Sequence, residues 1–249
     1  MGKTRGEILM KVFPVVHINN NGVYEAIRES NRALELDADG IYLTDHCNGV
    51  KNTKSLIETY SNLLDESPDS YIGINMLGSG PYDAMRMLAR SINKSKDLLL
   101  PPSGLWVDDM RYDGARKSAA IELRNSEPRL KHVRLLGGVA YKNTHSYTED
   151  PNRAQYEVEW LKDSVDVIVT SGESNGRIPI AEKLIAMKEA VGDKPLAVTS
   201  AMSLENIRKY EGIVDEVLVH SGIETYHGID IFDRRKLEDL IQLAHSFAK

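Results

Sequence analysis

Val165-Asp166-Val167-Ile168-Val169-Thr170, followed at once by Ser171-Gly172, decides the fold. The run is short, rich in β-branched residues, and lacks the polar alternation of a half-exposed strand. Such a run suits a parallel strand covered on both faces. The small polar residues behind it mark the place where the chain leaves the sheet.

Runs of the same kind recur along the chain. They are Val12–Ile18, Gly40–Leu43, Tyr71–Leu77, a run beginning Asp97-Leu98-Leu99-Leu100, His132–Leu136, Pro195–Thr199 and Glu216–Val219. The segment Leu105-Trp106-Val107 reads as part of the loop after the fourth run. Amphipathic stretches lie between them: 23–36, 51–64, 82–92, 154–161, 179–191, 204–210 and 233–247. Asp150 before Pro151, and Ser203 before Leu204, have the chemistry of helix starts. The stretch 112–129 is polar and only partly periodic. Eight such strands alternating with helices predict a parallel α/β protein. No Gly-x-Gly-x-x-Gly follows the first run, which counts against a dinucleotide-binding open sheet. The expectation is one (β/α)8 barrel spanning residues 1–249, with no interdomain linker.

Composition narrows the partners. The 249 residues carry a formal net charge of −6. That field does not attract nucleic acid or an anionic membrane surface. No apolar run reaches the ~18 residues of a membrane span. Residues 1–10 lack the apolar block of a secretory signal. The single cysteine, Cys47, suits a reducing cytoplasm. A cytoplasmic protein that forms a homo-oligomer is expected.

In a barrel the strands' C-terminal ends face the active site. Residues trailing each run are therefore the candidates. His17 ends the first and Asp45 follows the second, with His46 and Cys47 beside it. Asn75 sits within the third, Asp108-Asp109 follow the fourth, and Lys142 follows the fifth. His17 and Asp45 are acid–base candidates, while Lys142 and Asn75 can orient a ligand or steady developing charge. Asp108-Asp109 read as a solvated loop turn, and His46 and His220 as rim residues. The last three ends carry Ser171-Gly172, Ser200 and Ser221-Gly222. Small residues there let backbone amides approach an anion, the usual phosphate position of such barrels. His17, Asp45, His46 and Asp108 are of metal-ligand type, but no His-x-His pair ends the first run. No metal and no cofactor are expected.

These strand ends resemble the BtpA/SgcQ family of β/α barrels. The resemblance rests on Pro14-Val15-Val16-His17, Asp39-Gly40-Ile41-Tyr42-Leu43 and Gly73-Ile74-Asn75-Met76-Leu77. It is strongest in the C-terminal half: Asp166 through Gly172, Asn175-Gly176, Pro179, Pro195 through Ser200, Glu205-Asn206, and Asp215 through Ser221. Thr199-Ser200-Ala201 stands where the family tends to have glycine-serine-glycine. The resemblance implies a barrel whose founding member is linked to photosystem I biogenesis, while others sit among sugar-metabolism proteins. The expected function is enzymatic action on a small phosphorylated sugar- or nucleoside-like metabolite, by isomerisation, lyase chemistry or glycosidic cleavage. The rivals are a non-catalytic assembly factor on the same scaffold and a metal-dependent hydrolase.

Overall fold

The computed structural model describes residues 9–18, 22–46, 53–94, 100–111, 118–199, 201–226 and 230–247. Eight parallel strands close into a barrel in sequence order. They are β1 (Lys11–His17), β2 (Ile41–Thr44), β3 (Ile72–Asn75), β4 (Gly104–Val107), β5 (Arg134–Gly138), β6 (Val167–Thr170), β7 (Leu196–Thr199) and β8 (Glu216–Val219). β1 pairs with both β2 and β8, which closes the ring. The helices are α1 (Gly22–Glu35), α2 (Lys54–Glu66), α3 (Pro81–Lys94), α4 (Ala119–Ser126), α5 (Pro151–Leu161), α6 (Ala181–Val191) and α7 (Arg234–His245). Asp150 caps α5 by accepting from the Arg153 amide at 3.0 Å, with Pro151 in the first turn.

Two expectations need correction. The fourth strand is Gly104–Val107, the segment assigned from sequence to a loop. Residues 97–99 lie outside the described residues, and Leu100 is 64% exposed. Gly104 belongs in the strand because the barrel interior needs a residue without a side chain there. A Cβ at Gly104 would lie 2.5 Å from the hydroxyls of both Tyr42 and Tyr71. After β7 only a short 3-10 turn, Ile207–Tyr210, replaces the expected helix. Ser203 caps no α-helix there; its hydroxyl binds the Glu205 carboxylate.

Aromatic rings fill the lower interior. Phe13, Tyr42 and Tyr71 meet with centroids 5.2–5.9 Å apart, and the two tyrosine hydroxyls lie at 2.7 Å. Gly73 makes room for this cluster, since a Cβ there would sit 2.2 Å from the Tyr42 ring. Gly73→Ala is expected to lower stability by about 1–3 kcal/mol through overpacking. Calorimetry on the purified variant would check this. An unchanged midpoint would mean that Tyr42 moves aside freely.

The N-terminal end of the barrel is tied by acidic residues just before the strands. Asp39, Asp166 and Asp215 accept from the amides of Val12, Leu135 and Leu196 at 2.7–2.8 Å. Arg134 pairs with the buried Glu216. Asp39, Asp166 and Asp215 of the motifs quoted above therefore serve the N-terminal end, which in such barrels bears on stability rather than chemistry. Among the described residues no helix is long and apolar enough to cross a membrane.

Candidate functional site

The strands' C-terminal ends surround a cavity of about 590 Å³, within the range of small-molecule sites. Pairing register explains its wall. His17 is level with Thr44, Thr44 with Asn75, and Asn75 with Trp106. These four last-turn residues of β1 to β4 all line the cavity. The loops above are held in uncommon backbone. Ala140, Asn143, Ala201 and Asp230 have φ between 49° and 59°, in the left-handed region that most residues avoid. Such backbone persists where surrounding contacts hold it in place.

The β1–β8 side carries two imidazoles on one carboxylate. His17 Nδ1 lies 2.8 Å, and His220 Nε2 2.9 Å, from Asp230 Oδ1. The two rings stack at 3.5 Å with 18° between planes, and His46 meets His17 edge-on at 4.6 Å. His220 Nδ1 is 2.7 Å from the Val15 carbonyl. A carbonyl only accepts, so that nitrogen bears the hydrogen. Glu224, buried, stands 3.3 Å from His220 Nε2 and accepts the Asp230 amide at 3.1 Å. Burial lowers the His17 pKa, opposed by its bond to Asp230. A neutral His17 that donates through Nδ1 keeps Nε2 as a proton acceptor.

The opposite wall carries an acid and an amine. Asn75 Nδ2 donates to Asp108 Oδ1 at 3.1 Å. Desolvation raises the Asp108 pKa, against the Asn75 bond and the Lys142 charge. Desolvation likewise lowers the Lys142 pKa, against the pull of Asp108. Lys142 Nζ donates to Asn175 Oδ1 at 2.6 Å. Two titratable groups pushed toward their neutral forms in one concave site suit acid–base work.

Lys142 owes its place to a buried scaffold. Its amide donates to Ser171 Oγ at 2.9 Å. From α6 the fully buried Lys183 donates to the Ser171 and Ala140 carbonyls at 2.8 and 2.9 Å. Glu149, 3.3 Å away, balances its charge.

The structure thus brings together His17, Asn75 and Lys142 from the sequence-derived set, with Ser221 on the same rim. Asp45 does not line the cavity. It is buried and accepts from Ser55 Oγ at 2.5 Å, at the start of α2. Ser171 and Gly172 do not line it either. The Ser171 hydroxyl is engaged with the Lys142 amide and the Gly172 carbonyl. A Cβ at Gly172 would meet the Arg177 carbonyl at 2.3 Å, so that glycine permits loop packing. Gly222 lines a second cavity of about 350 Å³ with Gly176, Ala201, Ser203, Glu205, Ser221 and Lys236. Gly176 and Ser221 border both cavities. Ser200 and Cys47 lie outside the described residues.

Sequence reasoning took Asp108 for a solvated loop turn and His220 for a rim residue, and it passed over Asp230 and Lys183. Lys183 was legible as a lysine on the buried stripe that Leu184, Met187 and Val191 continue. Asp230 carried no signal, because only the loop after β8 returns it to His17.

His17, His220 and Asp230 have donor atoms close enough to gather round one ion. Their geometry does not suit it. An ion shared by two near-parallel rings 3.5 Å apart would stand well out of both ring planes, whereas a metal–imidazole bond of about 2.0–2.1 Å follows the nitrogen lone pair. The cluster fits a proton relay better.

Fold and site together define an eight-stranded β/α barrel whose strands' C-terminal mouth holds a cavity into which several polar side chains project. Solved barrels resemble it throughout. A phosphoribosyl anthranilate isomerase from Thermus thermophilus aligns with TM-score 0.61 and 12% identity, over 95% of this chain and 99% of that one. A (S)-3-O-geranylgeranylglyceryl phosphate synthase from Thermoplasma acidophilum, solved with sn-glycerol-1-phosphate, aligns with TM-score 0.63 and 10% identity, over 97% and 94%. A protein from Aquifex aeolicus VF5 aligns with TM-score 0.64 and 11% identity, over 98% and 94%. At these identities the likeness shows the fold alone. No family model and no curated protein matches the chain.

Proposed function

We propose that the chain is an enzyme of the BtpA/SgcQ kind that moves protons on a small phosphorylated sugar- or nucleoside-like metabolite. One observation carries this. A proton acceptor, His17 on Asp230, faces a carboxyl biased toward its protonated form, Asp108 beside Lys142, across a single cavity. In the simplest reaction His17 Nε2 takes the proton from a carbon next to a carbonyl. Asp108 gives its proton to the carbonyl oxygen, and a neutral enediol forms. Reprotonation at the neighbouring carbon, with return of the hydroxyl proton to Asp108, yields the isomer. Lys142 steadies the charge that develops on oxygen. The same acid would serve elimination or glycosidic cleavage by protonating the departing oxygen.

The second cavity, with Ser221, Gly222 and Lys236, supports a phosphate end for the ligand. Gly222, like Gly172, permits close loop packing, since a Cβ there would lie 1.9 Å from the Met202 carbonyl. The proposal needs no cofactor or metal. It places the enzyme in the cytoplasm as a homo-oligomer.

The test is proton exchange. The protein is incubated in heavy water with a panel of sugar phosphates, free sugars, nucleosides and nucleotides, and deuterium uptake at carbon is read by NMR. The wild type should label at least one compound. His17→Ala and Lys142→Ala should each slow labelling by about 10²–10⁴-fold while remaining folded. Equal labelling by both variants would reject the roles. No conversion of any compound would favour a non-catalytic assembly factor on this scaffold.

A further inference from the structure

Among the described residues five buried side-chain polar atoms have no hydrogen-bond partner: Thr44 Oγ1, Asn75 Oδ1, Ser79 Oγ, Trp106 Nε1 and Arg124 Nε. The first four all belong to residues lining the main cavity. Each of those residues is at least 96% buried. Leaving such an atom unpaired is costly, and native proteins hold few of them. Four in one wall is a concentration that core packing does not explain.

Their positions form a pattern. Thr44, Asn75 and Trp106 are register partners on three adjacent strands, so their side chains follow one another at about the 4.8 Å strand spacing. Ser79 stands above them in the loop after β3. Their chemistry is mixed. Trp106 Nε1 can only donate. Asn75 Oδ1, a carbonyl oxygen, can only accept, while its amide nitrogen donates to Asp108. Thr44 and Ser79 can do either. None of the four is charged. A ligand that satisfies the row must therefore offer several groups that both donate and accept, and hydroxyls do this. The strip starts beside His17 and ends beside Asp108, so its occupant would lie between acid and base.

We propose that Thr44, Asn75, Ser79 and Trp106 form a subsite for the uncharged, polyhydroxylated body of the ligand, with any phosphate held away from it at Ser221 and Gly222. This rests on the reading of the cavity as a small-metabolite site, and it names the substrate class. Binding there would satisfy groups that no protein atom satisfies, and that is a source of specificity. A site built to hydrogen-bond hydroxyls rejects analogues that lack them far more strongly than an apolar pocket rejects a misfit. A phosphate with an apolar body would leave all four groups dry and unpaired.

Trp106 reports on its own subsite. The chain has two tryptophans, and Trp160→Phe, on the outer helix α5, leaves Trp106 alone. In that background fluorescence is titrated with D-ribose 5-phosphate, D-glucose 6-phosphate, inorganic phosphate and phenyl phosphate. At least one sugar phosphate should bind with a saturating change, and phenyl phosphate should bind at least about 10-fold more weakly. Thr44→Val, which keeps shape and removes the hydroxyl, and Ser79→Ala should each weaken the sugar phosphate by about 10-fold. Both should leave phenyl phosphate unchanged. Their thermal midpoints should equal or exceed that of the parent, since no partner is lost. Calorimetric titration repeats the affinities without the fluorophore. Equal binding of phenyl phosphate, no binding of either sugar phosphate, or unchanged sugar-phosphate affinity in both variants would overturn the proposal. Selective binding with no deuterium uptake would leave the subsite standing and reject only the proton-transfer chemistry.

Discussion

Asp108→Asn is expected to slow proton exchange by about 10²–10⁴-fold while raising thermal stability at pH 7. Asparagine keeps the acceptor for Asn75 Nδ2, 3.1 Å away, so the loop stays in place, but it cannot give a proton. The stability gain follows from the direction of the pKa shift. Desolvation holds the Asp108 carboxyl above its ordinary range. The folded protein therefore binds a proton that the unfolded chain has released. Stability falls as pH rises from the ordinary aspartate value, about 3.9, through the raised folded value, and the deficit persists above it. Asparagine carries no such penalty. The variant and the wild type should thus unfold alike near pH 3, and the variant should be the more stable at pH 7. Differential scanning calorimetry at both pH values measures this. A variant less stable than wild type at pH 7 would show that the carboxylate has a stabilising partner in the folded protein.

The pH profile should change with it. His17 must be neutral to accept a proton, and burial lowers its pKa from 6.5. Turnover should rise with pH through that lowered value. It should fall again as Asp108 ionises through its raised value, giving a bell. Residual turnover in Asp108→Asn should keep the rising limb and lose the falling one. A falling limb retained in the variant would assign it to another group.

Lys183→Met is expected to cost about 4 kcal/mol, a fall in midpoint of roughly 10 °C for a chain of this size. Lys183 is fully buried, and its ammonium serves the Ala140 and Ser171 carbonyls at 2.9 and 2.8 Å. Methionine fills the space but leaves the Ser171 carbonyl without its lysine donor, at about 1–3 kcal/mol, and the Ala140 carbonyl with only the Thr170 hydroxyl at 3.3 Å. It also removes the cation beside Glu149, which keeps only the Tyr147 hydroxyl and the Ile180 amide. Burial pushes the Lys183 amine down to about 8. Between pH 8 and the unfolded value near about 10.4 the unfolded chain binds the extra proton, so wild-type stability should rise across that window. The neutral amine still has hydrogens enough for both carbonyls. The methionine variant should show no such rise. Because Ser171 Oγ holds the Lys142 amide, exchange activity should fall in parallel. A loss below about 1 kcal/mol would mean that water replaces the lysine at both carbonyls.

Much of this site was written in local sequence. His17, Asn75 and Lys142 were found because a parallel strand that ends in a barrel mouth must present its last side chains there. The same rule pointed to Ser221, which borders the main cavity, and to Gly222, which lines the second. Asp45, Ser171 and Gly172 were strand-end residues too, yet their side chains or packing serve neighbouring backbone. Which way a residue turns at a strand end depends on the loop that follows. The β4 error had a related cause. Asp97 to Leu100 had the apolar look of a strand, but Gly104 was needed where Tyr42 and Tyr71 leave no space for a Cβ.

The amino-acid sequence by itself determined the eight-fold alternation, because the burial demanded of each strand is local and shows as an apolar run. It also determined which strand ends carry polar groups. Only the tertiary structure decided which of these groups meet. Asp230 meets His17 across 213 residues, Lys183 reaches Ala140 and Ser171 from another helix, and the orphaned atoms of Thr44, Asn75 and Trp106 fall into one row through strand register. Those encounters depend on ring closure and on loop paths, which no single segment encodes.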